Sequence, residues 1–152
     1  MATQYTAGLT TGQVLTAATM NQIGAAWETY TPTVSQPTAV TATVNLARYG
    51  RIQKLVFGYV YLTVTGTGTA TTRLDVSLPV TAQTSSNGFL GSGIIFDASA
   101  TNLYIVAAQL TATTTASFYS DQTGTASRWG IVPNVAIANN DQIGFSFMYE
   151  AA

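Results

Sequence analysis

The side chains of this chain that could do acid–base chemistry are few and scattered. Its aspartates are Asp75, Asp97, Asp121 and Asp141, and each falls in a separate predicted strand or turn. Hydrolysis of a glycoside needs two carboxylates roughly 5–10 Å apart, and nothing in the spacing of these four pairs any two of them. We therefore expect each aspartate to serve a turn or a surface.

The sequence also lacks the residues that other kinds of catalytic, metal and phosphate sites require. The chain has no histidine and no cysteine, so a serine triad lacks its base and zinc lacks its usual ligands. Asn139-Asn140-Asp141 has too few oxygen ligands for a calcium loop, and Gly66-Thr67-Gly68 lacks the helix and lysine of a phosphate loop. Both segments are typical of turns. We expect no catalytic residue, no cofactor and no metal.

Charge is scarce, which narrows the choice of partners. Five basic and six acidic side chains make up 7% of the 152 residues, against about 25% in ordinary soluble domains. Nucleic-acid binding needs clustered lysine and arginine. The one basic cluster, Arg48, Arg51 and Lys54, indicates a solvated strand end. We therefore expect no nucleic-acid partner.

Hydrophobicity points to assembly and not to a membrane. Hydrophobic residues make up 47% of the chain, yet no apolar run approaches the roughly 18 residues of a membrane span. The N-terminus lacks the basic and apolar regions of a signal peptide. High apolarity with few charges predicts a surface that is buried between subunits.

Aromatic residues offer one candidate binding surface. Those that could line a saccharide site are Tyr104, Phe118, Tyr119 and Trp129, although aromatic residues in strands mostly belong to a core or an interface. Phe118 and Tyr119 are adjacent, so one of them faces outwards. Trp129 follows a polar turn and precedes Gly130, which indicates a loop tip or an edge. We expect Tyr119 and Trp129 to be surface contact residues.

Residues 1–38 are predicted to form an anchoring arm. Thr16 is placed to cap a short helix over Ala17–Trp27, with Leu15 and Met20 as a hydrophobic staple. Thr31-Pro32-Thr33 and Gln36-Pro37-Thr38 predict an extended linker, because a residue before proline is disfavoured in a helix. The residues expected to make assembly contacts are Leu15, Met20, Ile23, Trp27 and Tyr30, the first four from the staple and the apolar helix face.

Residues 39–152 are predicted to form one antiparallel β-domain. Threonine, valine, isoleucine, tyrosine and phenylalanine dominate, as in strands, and turn residues separate short segments. About eight strands with such turns favour an all-β sandwich of jelly-roll type, preceded by the N-terminal arm and helix. The predicted strands are Val40–Leu46, Ile52–Thr65, Thr72–Leu78, Phe89–Phe96, Leu103–Leu110, Ala116–Ser120, Gly130–Ile137 and Gln142–Tyr149.

The alternation of side chains differs between strands. Leu74–Val80 and Ile143–Tyr149 place apolar residues on every second position, which indicates one buried face. Val56–Val64 is apolar on both faces, because Phe57, Tyr59 and Tyr61 alternate with aliphatic residues. Its second face is either covered within the domain or part of a subunit contact. Leu103–Leu110 has the same character.

The first half of the chain resembles virion proteins of tailed phages. Gly12-Gln13-Val14-Leu15-Thr16-Ala17, followed by Asn21, resembles the run that leads into their N-terminal helix. Trp27-Glu28-Thr29-Tyr30-Thr31-Pro32-Thr33 resembles the entry to the β-domain of phage minor tail and fibre-tip proteins. Arg48–Val56 resembles the strand pair that follows and Leu78-Pro79 its end, although Ala47 and Gln53 stand where the family more often has glycine.

The resemblance covers residues 8 to about 80. It implies a trimeric, outward-facing β-sandwich on a virus particle, with no catalytic residues. As a decoration (cement) protein, the chain would form a homotrimer on the outer surface of the capsid, with its arm docked on the major capsid protein.

Two alternatives stay open. The chain could be a minor tail or fibre-tip protein that binds other tail proteins and a host surface glycan. Its length favours decoration, because a fibre normally carries a shaft of repeats, and this chain has none. A carbohydrate-binding or hydrolytic module is the second alternative, and hydrolysis would need Asp97 and Asp121 to face each other across a cleft.

Overall fold

The protein is all-β in a computed structural model that describes residues 26–84, 88–120 and 127–152. Every residue assigned to regular structure within these ranges lies in a strand or an isolated bridge, and none lies in a helix. The predicted helix Ala17–Trp27 lies outside the described residues except for its last two positions. Those two, Ala26 and Trp27, are not helical.

The strands are of very unequal length. In the described ranges they are β1 (Glu28–Thr29), β2 (Val34–Ser35), β3 (Ala39–Val40), β4 (Ala42–Ile52), β5 (Leu55–Val64), β6 (Asp75–Ser77), β7 (Phe89–Asp97), β8 (Asn102–Ala112), β9 (Thr115–Ser120), β10 (Ser127–Arg128) and β11 (Gln142–Glu150). Five of them, β4, β5, β7, β8 and β11, have nine or more residues and build most of the sheet.

All the strands pair into one continuous antiparallel sheet, in the order β1-β4-β5-β11-β7-β8-β9-β6-β2-β3, with β10 on β9. Only Thr41 separates β3 from β4, although these strands lie at opposite ends of that order. The sheet therefore curls around its core as a half-barrel. The finer prediction of a two-layered jelly roll is not confirmed by this pairing.

Most predicted strands are present, and one is wrong. Gly130–Ile137 forms no strand but a loop that crosses the core. Gly130 has φ of +95°, a conformation outside the strand region. The predicted strand Ile52–Thr65 is also interrupted, because Gln53 and Lys54 form a turn with Gln53 at φ of +53°. As a result β4 continues to Ile52 and forms a hairpin with β5.

The inner face of the sheet carries the core, as the alternation predicts. On β5, Val56, Val60, Leu62 and Val64 are buried, and on β11 so are Ile143, Phe145, Phe147 and Tyr149. Along the alternating run Leu74–Val80, three of the four apolar residues are buried and Val80 packs against the core. Strand pairing places β11 between β5 and β7, so its inner side chains lie at the middle of the sheet.

Two residues within the predicted proline linker lie in the sheet, since β2 pairs with β3 and β6. The next residue, Gln36, is fully buried. The Gln36 Nε2 donates to the carbonyl oxygens of Thr72 at 3.0 Å and Val135 at 2.9 Å. Its Oε1 accepts a hydrogen bond from the Ile137 N–H at 2.8 Å. One amide thus satisfies three backbone groups of two loops, which explains why a polar side chain is tolerated with no exposed surface.

Candidate interaction surface

The described aspartates bond to neighbouring groups of the fold, Asp75 to side chains and Asp97 to a turn. Asp75 accepts a hydrogen bond from the Arg73 Nε at 2.8 Å and another from the Ser117 hydroxyl. Asp97 Oδ1 accepts from the Ser99 N–H and hydroxyl and from the Ala100 N–H, at 2.7–3.0 Å. Asp121 lies outside the described residues.

Asp97 and Asp141 are neighbours, which their spacing in the sequence does not show. Asp141 is fully buried, and its two oxygens accept from the N–H groups of Ala98 and Ala138, both at 2.8 Å. Burial raises the pKa of the Asp141 carboxyl and the charge of Asp97 adds to this, while the two backbone donors oppose it. With both oxygens bonded to backbone, the pair joins two turns. Within the described ranges no three acidic side chains form a group that could hold a metal ion.

The aromatic residues proposed for a saccharide surface lie mostly in the core. Trp129 is fully buried and stands edge to face with Tyr104 at 5.9 Å between ring centroids. The prediction of an exposed Trp129 is therefore wrong. Its backbone N–H donates to the Phe118 carbonyl oxygen at 2.7 Å, which holds the residue against β9. Tyr119 is half-buried, with the Arg128 guanidinium 5.5 Å from its ring centroid.

The predicted assembly residues are divided between two environments. Leu15, Met20 and Ile23 lie outside the described residues. Tyr30 packs inside the domain, edge to face with Tyr49 and Phe147. Trp27 lies on the outer face of the sheet with 52% of its surface exposed.

Trp27 forms one wall of a groove on the outer face, which we call the aromatic groove. Its walls are Trp27, Phe57, Phe89 and Met148, and its volume is about 440 Å³. The Trp27 ring lies 5.5 Å from that of Phe57, which fixes the position of this wall.

The floor of the aromatic groove is formed where the backbones of β7 and β11 approach closely. It is lined by Gly91 and Ser146, and a Cβ at Gly91 would clash with the Ser146 carbonyl oxygen. The register of β7 shifts between Phe89 and Gly91, so that Leu90 is buried while Phe89 is exposed. This irregularity of the strand therefore places one aromatic side chain on the rim of the groove.

A second apolar feature, the aliphatic ridge, lies on the same face and consists of Ile94, Leu103 and Ile105. Ile94 pairs directly with Ile105 across β7 and β8, so the two side chains stand side by side. Ile105 is 77% exposed, the most exposed of the large apolar residues described. On the other side of Ile94, the register places Gly144, which has no side chain to cover the ridge.

Together, the groove, the ridge and two flanking side chains form what we call the outer apolar face. The exposed members are Trp27, Leu46, Tyr61, Phe89, Ile94, Leu103, Ile105 and Met148. On the outer side of the strands β4, β5, β7, β8 and β11, the charged side chains are Arg48, which pairs with Tyr59, and Glu150, which pairs with Leu55. The middle of the face is therefore neutral.

Sequence reasoning found only part of this surface. Aromatic residues at every second position of β5 predicted that its second face is apolar. The sequence of β8 predicted the same for that strand. The contribution of Phe89 and Met148 was missed, because it depends on the register shift in β7 and on the pairing of β11 with β5.

Comparison with known proteins adds no relative to this description. No family model, no curated protein and no solved structure matches the chain. In the part of the chain that the structure describes, no helix has the length and hydrophobicity needed to cross a bilayer.

Proposed function

We propose that this chain is a non-enzymatic structural protein on the exterior of a tailed-phage virion, where it assembles with copies of itself as a homotrimer. The observation that carries this proposal is the outer apolar face. Monomeric soluble proteins rarely expose a contiguous apolar patch of more than a few hundred Å². Here eight exposed apolar side chains share the outer face, and the row of Tyr59 and Ser146 that separates the groove from the ridge carries one charge, Arg48 at its end, which suits a surface that a partner covers.

The roles of the described carboxylates support a structural function over catalysis. A general acid or base must be free to reach a substrate proton. Asp97 and Asp141 instead accept hydrogen bonds from turn N–H groups, and Asp75 bonds with Arg73 and Ser117. Each of these three aspartates is used to hold the fold.

The placement that we favour is decoration of the capsid. In this arrangement the arm before Ala26, through Leu15, Met20 and Ile23, docks on the major capsid protein. The β-domain faces outwards and its copies contact one another. The helical arm and a sandwich-like packing of the curled sheet are both part of this proposal, which rests on the resemblance to phage virion proteins and on the exposed apolar surface.

A tail or fibre-tip position is the alternative, in which the same surface contacts tail proteins and the domain binds a host glycan. The resemblance of residues 27–33 to minor tail proteins favours this alternative. Of the two residues predicted to contact a glycan, Tyr119 and Trp129, Trp129 is buried and is not accessible to one. An independent carbohydrate-binding module would keep Tyr119 as its one predicted contact that is not buried.

The number of copies per purified particle tests the proposal. Quantitative mass spectrometry against the major capsid protein should give hundreds of copies at a fixed ratio to the capsid subunits. A handful of copies in multiples of three would instead assign the chain to the tail. Finding no copies in any particle would overturn both virion placements.

A further inference from the structure

We infer that residues 17–25, the part of the arm directly before Ala26, cover the aromatic groove of their own chain by placing Met20 and Ile23 in it. This contact holds the arm on the β-domain while the chain is not yet assembled. The inference does not rest on the proposed function, because it concerns the chain on its own. Three features carry it, namely where the arm joins the groove, how far it reaches and which side chains it contains.

The chain enters the β-domain at the groove itself. Trp27 is one of the groove walls, and its ring stands edge to face with those of Phe57 and Tyr59, at 5.5 and 5.4 Å between centroids. Trp27 is also the last member of the apolar face that the sequence predicts for the arm, after Met20 and Ile23. One member of that face therefore already lies in the groove, and the other two come shortly before it in the chain.

The connection to Trp27 is long enough for both side chains to enter the groove. Ile23 precedes Trp27 by four residues and Met20 by seven, so that at about 3.3 Å per residue they reach up to roughly 13 and 23 Å from it. The groove extends across three adjacent strands, from Phe57 on β5 over β11 to Phe89 on β7. That width is about 10 Å, or two strand spacings, and lies within the reach of both residues.

The groove and the arm are also alike in chemistry. Phe89 and Met148 expose apolar surface at the groove, and residues 1–25 contain no charged side chain, so their contact desolvates no ion. A cavity of roughly 150 Å³ holds a benzene-sized group. At about 440 Å³, the groove has room for the side chains of Met20 and Ile23 together.

Covalent connection selects the arm among the apolar partners that would fit the groove. A segment joined by a few residues acts at an effective concentration of about 1 mM, which is on the order of 1000 times that of a separate partner present at micromolar concentration. Such a partner must therefore bind about 1000-fold more tightly than the arm to displace it. A second copy has no such advantage, since its own arm is tied to its own groove.

The contact has a consequence for assembly, and this consequence alone rests on the proposed function. Met20 and Ile23 are also residues that we propose to dock on the major capsid protein, and they cannot occupy the groove at the same time. The groove is therefore available to a neighbouring copy only after the arm has docked. Docking of the arm thus uncovers apolar surface on the particle and not in solution.

Thiol labelling tests the contact directly, because the chain has no cysteine of its own. Met148→Cys places one thiol in the groove and Ile105→Cys places one on the ridge, at positions that are 59% and 77% exposed on the β-domain. Each is combined with the original arm, with Ile23→Asp and with the control Asn21→Asp, which adds the same charge at a polar position of the arm. The rate of modification by a maleimide is measured for each chain.

We expect the groove thiol to react about tenfold more slowly with the original arm or Asn21→Asp than with Ile23→Asp. That factor corresponds to a contact with an intrinsic Kd of about 0.1 mM at an effective concentration of about 1 mM. The ridge thiol should react at one rate with all three arms. Ile105 lies three strands across and four residues along from Phe57, or roughly 20 Å, which exceeds the reach of Ile23.

Equal labelling of the groove thiol with all three arms would overturn the inference, and so would protection that Ile23→Asp leaves in place. Protection that disappears on about 100-fold dilution would assign the cover to a second copy, because only a contact between chains depends on concentration. The labelling rates are independent of copies in particles. Absence from every particle would therefore remove the virion role and leave the contact, whereas unprotected labelling would remove only the contact.

Tryptophan fluorescence gives a second measurement without a cysteine in the groove. The chain has two tryptophans, and since Trp129 is fully buried, the emission that acrylamide quenches belongs to Trp27. Ile23→Asp should increase this quenching relative to the original chain and Asn21→Asp, with the far-ultraviolet circular dichroism unchanged. Equal quenching in the three chains would contradict a covered groove.

Discussion

The two faces of β5 are both apolar in composition but differ in what covers them. On β5, the inner residues Val56 and Leu62 have no exposed surface, whereas the outer residue Tyr61 retains 36% of its own. The chain itself closes the inner face by curling the sheet. In the described residues, nothing comparable covers the outer face. Side-chain type alone therefore does not distinguish a core from an interface.

The largest expected effect comes from breaking the inner face. Phe118 is fully buried, and its ring stands 5.1 Å from that of Phe145. Phe118→Ala should lower the free energy of unfolding by about 3–5 kcal/mol, as for other large-to-small core substitutions. Urea denaturation at low protein concentration measures this loss. A loss below about 1 kcal/mol would contradict the close packing described here.

Removing the buried amide of Gln36 is expected to have the next largest effect. Gln36→Leu leaves the carbonyl groups of Thr72 and Val135 and the N–H of Ile137 without their partner. The expected loss in unfolding free energy is about 2–4 kcal/mol, because unsatisfied buried groups are costly. Gln142→Leu is the control, since Gln142 accepts only an exposed hydrogen bond from the Tyr61 hydroxyl. Similar losses for both variants would contradict a central role for Gln36.

Alkaline pH should weaken the inner face through its tyrosines. Burial, together with the hydrogen bond to Glu28, raises the pKa of Tyr49 to about 12, and burial also raises the pKa of Tyr30 and Tyr149. The unfolded chain ionises its tyrosines near pH 10. The stabilisation is therefore complete below about pH 10 and is lost as pH rises towards 12.

Tyr49→Phe measures the share of that loss that belongs to Tyr49. At neutral pH it should cost about 1 kcal/mol, for the hydrogen bond to Glu28. Between pH 10 and 12 its unfolding free energy should fall less steeply than that of the original chain. Parallel curves for the two proteins would show that Tyr49 ionises as readily in the folded chain as in the unfolded one.

The smallest effect on the single chain is expected at the ridge. Ile105 and Val106 are adjacent on β8 but point to opposite faces, with 77% and 2% of their surfaces exposed. Ile105→Thr should change unfolding free energy by no more than about 0.5 kcal/mol, as measured by urea denaturation at low protein concentration. Val106→Thr should cost about 1–3 kcal/mol by burying a hydroxyl. Equal costs would mean that the two faces are covered alike.

Local patterns predicted the strands well, because a period of two reports directly which side chains share a face. The inner residues of β5 and β11 follow in this way from the order of amino acids alone. The same reasoning failed for Gly130–Ile137, whose valines and isoleucines suit a strand. That segment is held as a loop by Gln36, which is 101 residues from Ile137.

Long-range contacts also explain what could not be predicted about the candidate surface. Trp129 follows polar residues, a pattern that favours exposure, yet the loop that carries it folds inwards over Tyr104. The aromatic groove combines Trp27, Phe89 and Met148, which come from three distant parts of the chain. Only strand order and register bring these three together, and neither follows from local composition.

The central position of β11 has a consequence for synthesis of the protein. Tyr61 on β5 and Gln142 on β11 are 81 residues apart, and ribosomes add about 5–20 residues per second. For roughly 4 to 16 seconds, β5 therefore exposes an open edge with apolar side chains on both faces. Such edges invite pairing with other chains. Until residues 142–150 emerge and join the two halves of the sheet, we expect nascent copies of this protein to be most prone to such pairing.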